Sequence, residues 1–312
     1  MSNFYSWPFM MRHKAAQVLV LAFAAAFALL SSQPLFAQSA SNMNTQTDSG
    51  AMQISADDGI TWNREQRSYV AQGNALAQNQ EGLSLEADNL SAFYGIRDDK
   101  SRKIELIRAK GKVIAADIDS KLRADSLDMD LNERVTIARG RLVQLDLQPA
   151  LKISTTKSII LYQNQNRALL EGKVLVVDPQ FRLAADIMEV IFSGDQEQNA
   201  DQNQSNGSGF SSQSLGDPLE AVAEGNIIFT ANTSTVTAKA LRYDFKRRLA
   251  QFFGAVQINQ EGNQISGEYA EYYLDEGMAR ITSRLPHVND ASAQDATQES
   301  PRVFGFIQDQ GQ

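Results

Sequence analysis

A glycine recurs at Gly73, Gly111, Gly140, Gly172, Gly225 and Gly254, each time in similar text, such as Val70-Ala-Gln-Gly-Asn-Ala, Arg108-Ala-Lys-Gly-Lys-Val and Val222-Ala-Glu-Gly-Asn-Ile. Eleven to thirteen residues after each glycine a second block begins. It reads Leu85-Glu-Ala-Asp, Leu122-Arg-Ala-Asp, Ile153-Ser-Thr-Thr, Leu183-Ala-Ala-Asp, Val236-Thr-Ala-Lys and Ile265-Ser-Gly-Glu, with Ile54-Ser-Ala-Asp as a further copy at the start. A fixed internal order repeated along a chain means an elongated array, because one small unit cannot bury its own apolar face without its neighbours.

The unit of the array is β. Polar, Gly and Pro residues separate the two blocks each time, as at Asn79 to Gly82, Asp117 to Ser120, Gln148-Pro149 and Asp178-Pro179. Such clusters between apolar runs signal hairpin turns. After the second block apolar residues alternate: Leu90, Ala92, Tyr94; Leu127, Met129, Leu131; Met188, Val190, Phe192; Leu241, Tyr243, Phe245. Period two puts these side chains on one face of a strand. Around each glycine the neighbours one residue away are mostly polar, while those two away are small or apolar, so one face is dry and the other wet. A glycine on the dry face either lets another backbone or a ligand approach closely or marks a bulge. Leu76, Ile114, Val143, Leu175 and Ile228, three residues after a glycine, break the alternation.

Composition narrows the function. The 312 residues are 43% apolar, enough for a large core, and carry a formal charge of −8, which disfavours nucleic acid as a partner. There is no cysteine, and the two histidines, His13 and His287, lie outside the patterned region. Thiolate sites, His-ligated zinc and a His-based triad within the array are thereby excluded. No metal site and no cofactor are expected.

The chain begins with Arg12 and Lys14 ahead of an apolar run from Ala15 to Leu30, followed by Ser31, Ser32, Pro34 and small residues. This is the pattern of a secretory leader, residues 1–37, cleaved after Ala37 or Ala40. The run of 16 residues is shorter than the ~20 of a spanning helix. A disordered linker is expected over 38–51, the array over 52–285, and a polar tail over 286–312 with one apolar patch, Val303-Phe-Gly-Phe-Ile. Residues 195–218 are dominated by Gln, Asn, Ser and Gly, and read as a flexible insertion within one array.

An export leader followed by repeated Ala-Asp-x-apolar and Ala-x-Gly-x-apolar blocks resembles the OstA-like periplasmic domain family. The resemblance spans 52–285 and is clearest over Ile54 to Tyr94, Val113 to Leu131 and Ala221 to Tyr243. It implies an all-β fold, an elongated, V-shaped antiparallel β-taco or β-jellyroll. It also implies a periplasmic, non-enzymatic bridge of the LptA type that carries lipopolysaccharide from the inner to the outer membrane. The implied partners are the lipid A acyl chains, inner- and outer-membrane transport components met through edge strands, and further copies of the chain head to tail. The greater length, the insertion and the polar tail depart from that pattern.

Physics gives the V a use. An apolar trough gains about 0.8 kcal/mol per buried CH₂, so acyl chains bind while head groups stay in water beside an acidic protein. The expected lipid-binding residues are Val113, Leu127, Met129, Val174, Met188, Val190, Phe192, Ile227, Phe229, Leu241, Tyr243, Phe245, Val256 and Ile258. The same inward residues also suit simple packing against one another. Ile54 to Trp62 and Ile265 to Leu274 are the expected edges, whose free backbone groups invite strand pairing. The pairs Asp117/Asp119, Asp128/Asp130, Asp57-Asp58 and Asp98-Asp99 are read as turn and wet-face groups, because a single active site does not repeat along an array. The alternative is a structural or polysaccharide-acting β-solenoid.

Overall fold

The alternating runs form strands and the polar clusters form turns. The structure is a computed structural model that describes residues 52–79, 82–98, 100–194, 216–283 and 303–306. The expected leader, the linker, nearly all of the 195–218 insertion and most of the tail lie outside the described residues. In chain order the strands are β1 (Met52–Ser55), β2 (Gly59–Asn63), β3 (Ser68–Asn79), β4 (Ser84–Ile96), β5 (Arg102–Ala116), β6 (Ser120–Asp130), β7 (Val135–Arg139), β8 (Val143–Leu147) and β9 (Leu151–Thr155). There follow β10 (Ser158–Tyr162), β11 (Arg167–Val177), β12 (Phe181–Phe192), β13 (Pro218–Ala231), β14 (Ser234–Asp244), β15 (Leu249–Gln260), β16 (Asn263–Tyr273), β17 (Met278–Thr282) and β18 (Phe304–Phe306). Among the described residues the one helical element is a 3₁₀ turn, Gln163–Gln165.

Each long strand pairs with the next in a meander, and every pairing is antiparallel. The register slips in mid-strand at Gln72/Ala75, Lys110/Val113, Glu171/Val174, Glu224/Ile227 and Phe253/Val256. Each slip holds a repeat glycine, with φ between +75° and +84°, and the residue after it is left-handed, as at Asn74 and Lys112. One extra residue against the partner strand is a β-bulge. At Gly140 the strand breaks altogether into β7 and β8, and matching breaks separate β1 from β2 and β9 from β10. The bulges and breaks therefore line up in a column across the whole sheet.

The column is a fold line. It divides each long strand into an upper arm, which includes β2, β7, β10 and β17, and a lower arm, which includes β1, β8, β9 and β18. Phe181 pairs with Ala231, and Tyr243 with Ala221, so on a flat sheet ten residues of β13 separate the two rings. That is about 33 Å at strand rise. Their ring centroids lie 5.7 Å apart. Phe229 of the lower arm likewise meets Phe252 and Tyr272 of the upper arm, at 5.4 and 5.6 Å. The sheet is thus creased lengthwise and its arms face one another. It is also open, since β1 and β2 pair only with β3, and β17 and β18 only with β16, among the described residues.

One sequence expectation is corrected. The Ile265 to Leu274 segment is not an edge, because β17 covers its upper half and β18 its lower half. The crease also leaves Leu76, Ile114, Leu175 and Ile228 on the outer face, with Ile228 48% exposed. Val143 points inward instead, because its bulge is longer.

Candidate functional site

The glycines build the bottom of the V. A Cβ at Gly225 would lie 2.9 Å from the Cβ of Asp186, and one at Gly111 would lie 2.9 Å from that of Asp88. The nearest group is in each case the Asp carboxylate of the preceding strand, and Gly73 meets Asp58 in the same way. Asn226 Nδ2 donates to Asp186 Oδ2 at 2.7 Å, Asn74 Nδ2 to Asp57 Oδ2 at 2.8 Å, and the Arg141 backbone N–H to Asp125 Oδ2 at 2.9 Å. At Gly225 and Gly111 one aspartate fills the space left open by the glycine and ties down the residue beside it, whereas at Gly73 these two tasks are divided between Asp58 and Asp57. This settles the role of the glycines as bulges filled by a neighbouring side chain. Gly172 and Gly254 face Lys157 and Lys239 instead.

Two other acidic pairs serve local structure, while Asp99 of the Asp98-Asp99 pair lies outside the described residues. Asp117 accepts from the Asp119 and Ser120 backbone N–H groups, and Asp130 from those of Asn132 and Glu133. Asp128 lies between Arg108 and Arg139.

Above the crease the inner faces of both arms form one apolar cluster. Val113, Leu127, Met129, Val174, Met188, Ile227, Phe229, Leu241, Tyr243, Val256 and Ile258 are buried in it. Val190, Phe192 and Phe245 are only partly buried and pack against it. The candidate residues are thus brought onto a single face, and they differ in depth. Of the buried ones Phe229 and Tyr243 touch the opposite arm, while Val190, Phe192 and Phe245 sit near the upper rim, where the mouth of the V lies.

Other half-buried apolar residues share the mouth: Ile104, Leu131 and Leu274 on the upper arm, and Ile54, Leu147, Leu151, Ile153 and Phe181 on the lower. The sequence pattern places Ile54, Leu131 and Ile153 in its blocks and alternating runs but does not mark any of the eight as a mouth residue. Their signal is position, because many are the last or first apolar residue beside a rim turn, where closure is least complete.

Toward β17 the rims touch. Arg248 on the upper rim hydrogen-bonds Asp275 beside it and Gln180 on the lower rim. The Tyr272 hydroxyl lies 3.4 Å from the Ala231 carbonyl oxygen across the gap and donates to it. Between these rims is a cleft of 590 Å³ lined by turn residues, among them Gln180, Asn232, Leu274 and Asp275. Burial pushes the Tyr243 phenol above its usual value, and the hydrogen bond to Asp275 raises Arg248 further.

Toward β2 the inner face is uncovered. Ile60 pairs with buried Ala71, and Trp62 with Tyr69, so both point inward, yet they are 49% and 42% exposed. The V therefore runs from a latched end to an open one.

Residues 155–278 match the family model LptD_N, described as LptA/(LptD N-terminal domain) LPS transport protein. The matched stretch runs from the end of β9 to the start of β17. This part of the chain is similar to a family of lipopolysaccharide transport proteins. No curated protein matches the chain. Among solved structures it is similar to LptH, the LptA homologous periplasmic component of the lipopolysaccharide transport device from Pseudomonas aeruginosa. That likeness has 14% identity and a TM-score of 0.35 over 51% of this chain and 94% of the other, too slight to carry an argument. Among the described residues no helix is long and apolar enough to cross a membrane.

Proposed function

We propose that this chain is a periplasmic lipopolysaccharide-binding bridge protein that carries lipopolysaccharide from the inner to the outer membrane. The observation that carries the reading is the creased open sheet, apolar along its inner face, within a chain whose residues 155–278 match a lipopolysaccharide-transport family. Acyl chains enter at the mouth, against Val190, Phe192 and Phe245. They then part the arms and take the place of packing between the deeper residues, Val113, Leu127, Met129, Val174, Met188, Ile227, Phe229, Leu241, Tyr243, Val256 and Ile258. The exchange is favourable because each buried CH₂ contributes about 0.8 kcal/mol, and apolar packing of side chain on side chain gives way to apolar packing of side chain on lipid. Flexible Met129 and Met188 suit chains of varied shape.

The free strands at the two ends suit assembly. β1 and β2 at one end, β17 and β18 at the other, present backbone groups to a membrane-bound component or to a second copy head to tail. A passive trough has no motor, so direction and energy come from such partners. The β-solenoid alternative draws no support from the pairings, which are antiparallel throughout, whereas a right-handed β-helix stacks parallel strands.

The test is to purify the protein from its envelope and extract bound lipid for mass spectrometry. Lipopolysaccharide is expected with the wild type and lost from Phe192→Asp/Phe245→Asp, whose circular dichroism should remain that of a β protein. A lipid-free wild type that cleaves polysaccharide would instead favour the solenoid reading.

A further inference from the structure

The uncovered end of the trough carries a feature that the apolar face alone does not require. Trp62 lies on edge strand β2, stacked on Tyr69 with ring centroids 6.2 Å apart, and its Nε1 donates to the Tyr94 hydroxyl at 2.9 Å. Two guanidiniums lie over its indole: Arg64 from the β2–β3 turn at 5.0 Å and Arg102 from β5 at 4.8 Å. Arg102 also donates to the Tyr69 hydroxyl at 3.1 Å and lies 5.4 Å from the Tyr94 ring centroid. The two charges are held within about 10 Å of each other by one ring. Neither forms an ion pair among the described residues, so both guanidiniums keep their charge uncompensated by a neighbouring carboxylate.

We propose that Arg64 and Arg102, set on Trp62, form a binding site for the anionic head, phosphate or carboxylate, of the amphiphile whose tails occupy the trough. The inference rests on the trough reading above and adds a head-group contact to it. Stacking on the indole orients each guanidinium and leaves N–H groups directed outward. A phosphate between two such forks accepts charge-assisted hydrogen bonds from both. Ile60 and Trp62 give the first methylenes of the tail an apolar surface at the same place. The chain as a whole carries −8 and repels anions, so this local pair of cations selects where an anionic amphiphile is held and which way its tails point.

The chain holds two tryptophans, Trp7 and Trp62, so Trp7→Phe leaves Trp62 as the one emitter. This protein is titrated with dodecyl phosphate, with dodecyl maltoside and with inorganic phosphate, following Trp62 emission. The expected result is that dodecyl phosphate binds on the order of tenfold more tightly than dodecyl maltoside. That preference should shrink with added salt and vanish in Arg64→Gln/Arg102→Gln, which still binds the maltoside and keeps the parent circular dichroism. Equal affinity for the two detergents in the parent protein overturns the head-group site and leaves the trough standing. Inorganic phosphate binding as tightly as dodecyl phosphate also overturns it, by assigning the arginines to a free anion. Failure of both detergents to bind removes the trough and the head-group site together.

Discussion

The repeated glycine and aspartate act as one device. Gly73, Gly111 and Gly225 each adopt a backbone conformation that an L side chain resists, at a cost of about 1–3 kcal/mol, and a neighbouring aspartate already fills the space where a Cβ would go. Gly225→Ala should therefore lower the free energy of unfolding by about 2 kcal/mol in urea titrations. Adding Asp186→Ala should recover the part of the clash due to the carboxylate and leave the Cβ–Cβ contact and the conformational part. Strict additivity of the two substitutions would show that the aspartate does not occupy that space. Both partners were visible in the sequence as the two blocks. Their contact was not, because the aspartate that meets each glycine belongs to the preceding block, and only the strand pairing decides that.

A second local device is titratable. Glu271 accepts hydrogen bonds from the Tyr269 and Tyr273 hydroxyls at 2.7 and 2.9 Å, and these, the Tyr269 bond foremost, hold its carboxyl below the usual value of 4.5. A lowered carboxylate pKa stabilises the fold above the unfolded value and ceases to do so as pH falls through the folded one. The melting-temperature gap between wild type and Glu271→Gln should thus be larger at pH 7 than at pH 3. A gap that does not change with pH would assign the effect to packing alone.

At the scale of elements, the strands were legible because alternation survives everywhere except at the bulges, where the period shifts. Ala87 and Leu90 are both buried, three residues apart, across the Asp88-Asn89 step. Read without the slip, that step looks like an error in pattern, and Ile228 looks like a core residue. The far edge was misplaced for a different reason. The segment from Ile265 alternates like any other strand, and nothing local says that Phe304–Phe306 returns to pair with Gln264–Ser266. Long-range pairing of a three-residue strand leaves no mark on composition. This strand is short, Phe304 is 68% exposed, and it covers backbone groups that would otherwise be free to pair. Ending the chain at Pro301 should shift the protein toward larger species in sedimentation velocity, with the shift growing with concentration. A sedimentation profile unchanged from the full chain would mean that β18 guards nothing.

For the whole molecule, the creased sheet sets a competition between the arms closing on each other and closing on something else. Close contacts among Phe181, Tyr243, Phe229 and Tyr272, with Arg248 bridging Gln180 and Asp275, hold one end shut. Exposed Ile60 and Trp62 leave the other end ready. Which residues point inward was largely readable from period two. How deep each one lies was not, since depth depends on distance from the crease and on contact with the facing arm. In the proposed function a ligand is therefore first met by Phe192 and Phe245 at the rim, rather than by Leu127 or Val256 at full burial. The most direct measurement is photo-crosslinking to a lipid A preparation, with a benzophenone amino acid placed in turn at Phe181, Phe192 and Phe245 on the inner face and at Val177 and Ile228 on the outer. Adducts from the inner positions alone are the predicted result; adducts from both faces alike, or from the outer face only, would contradict the account.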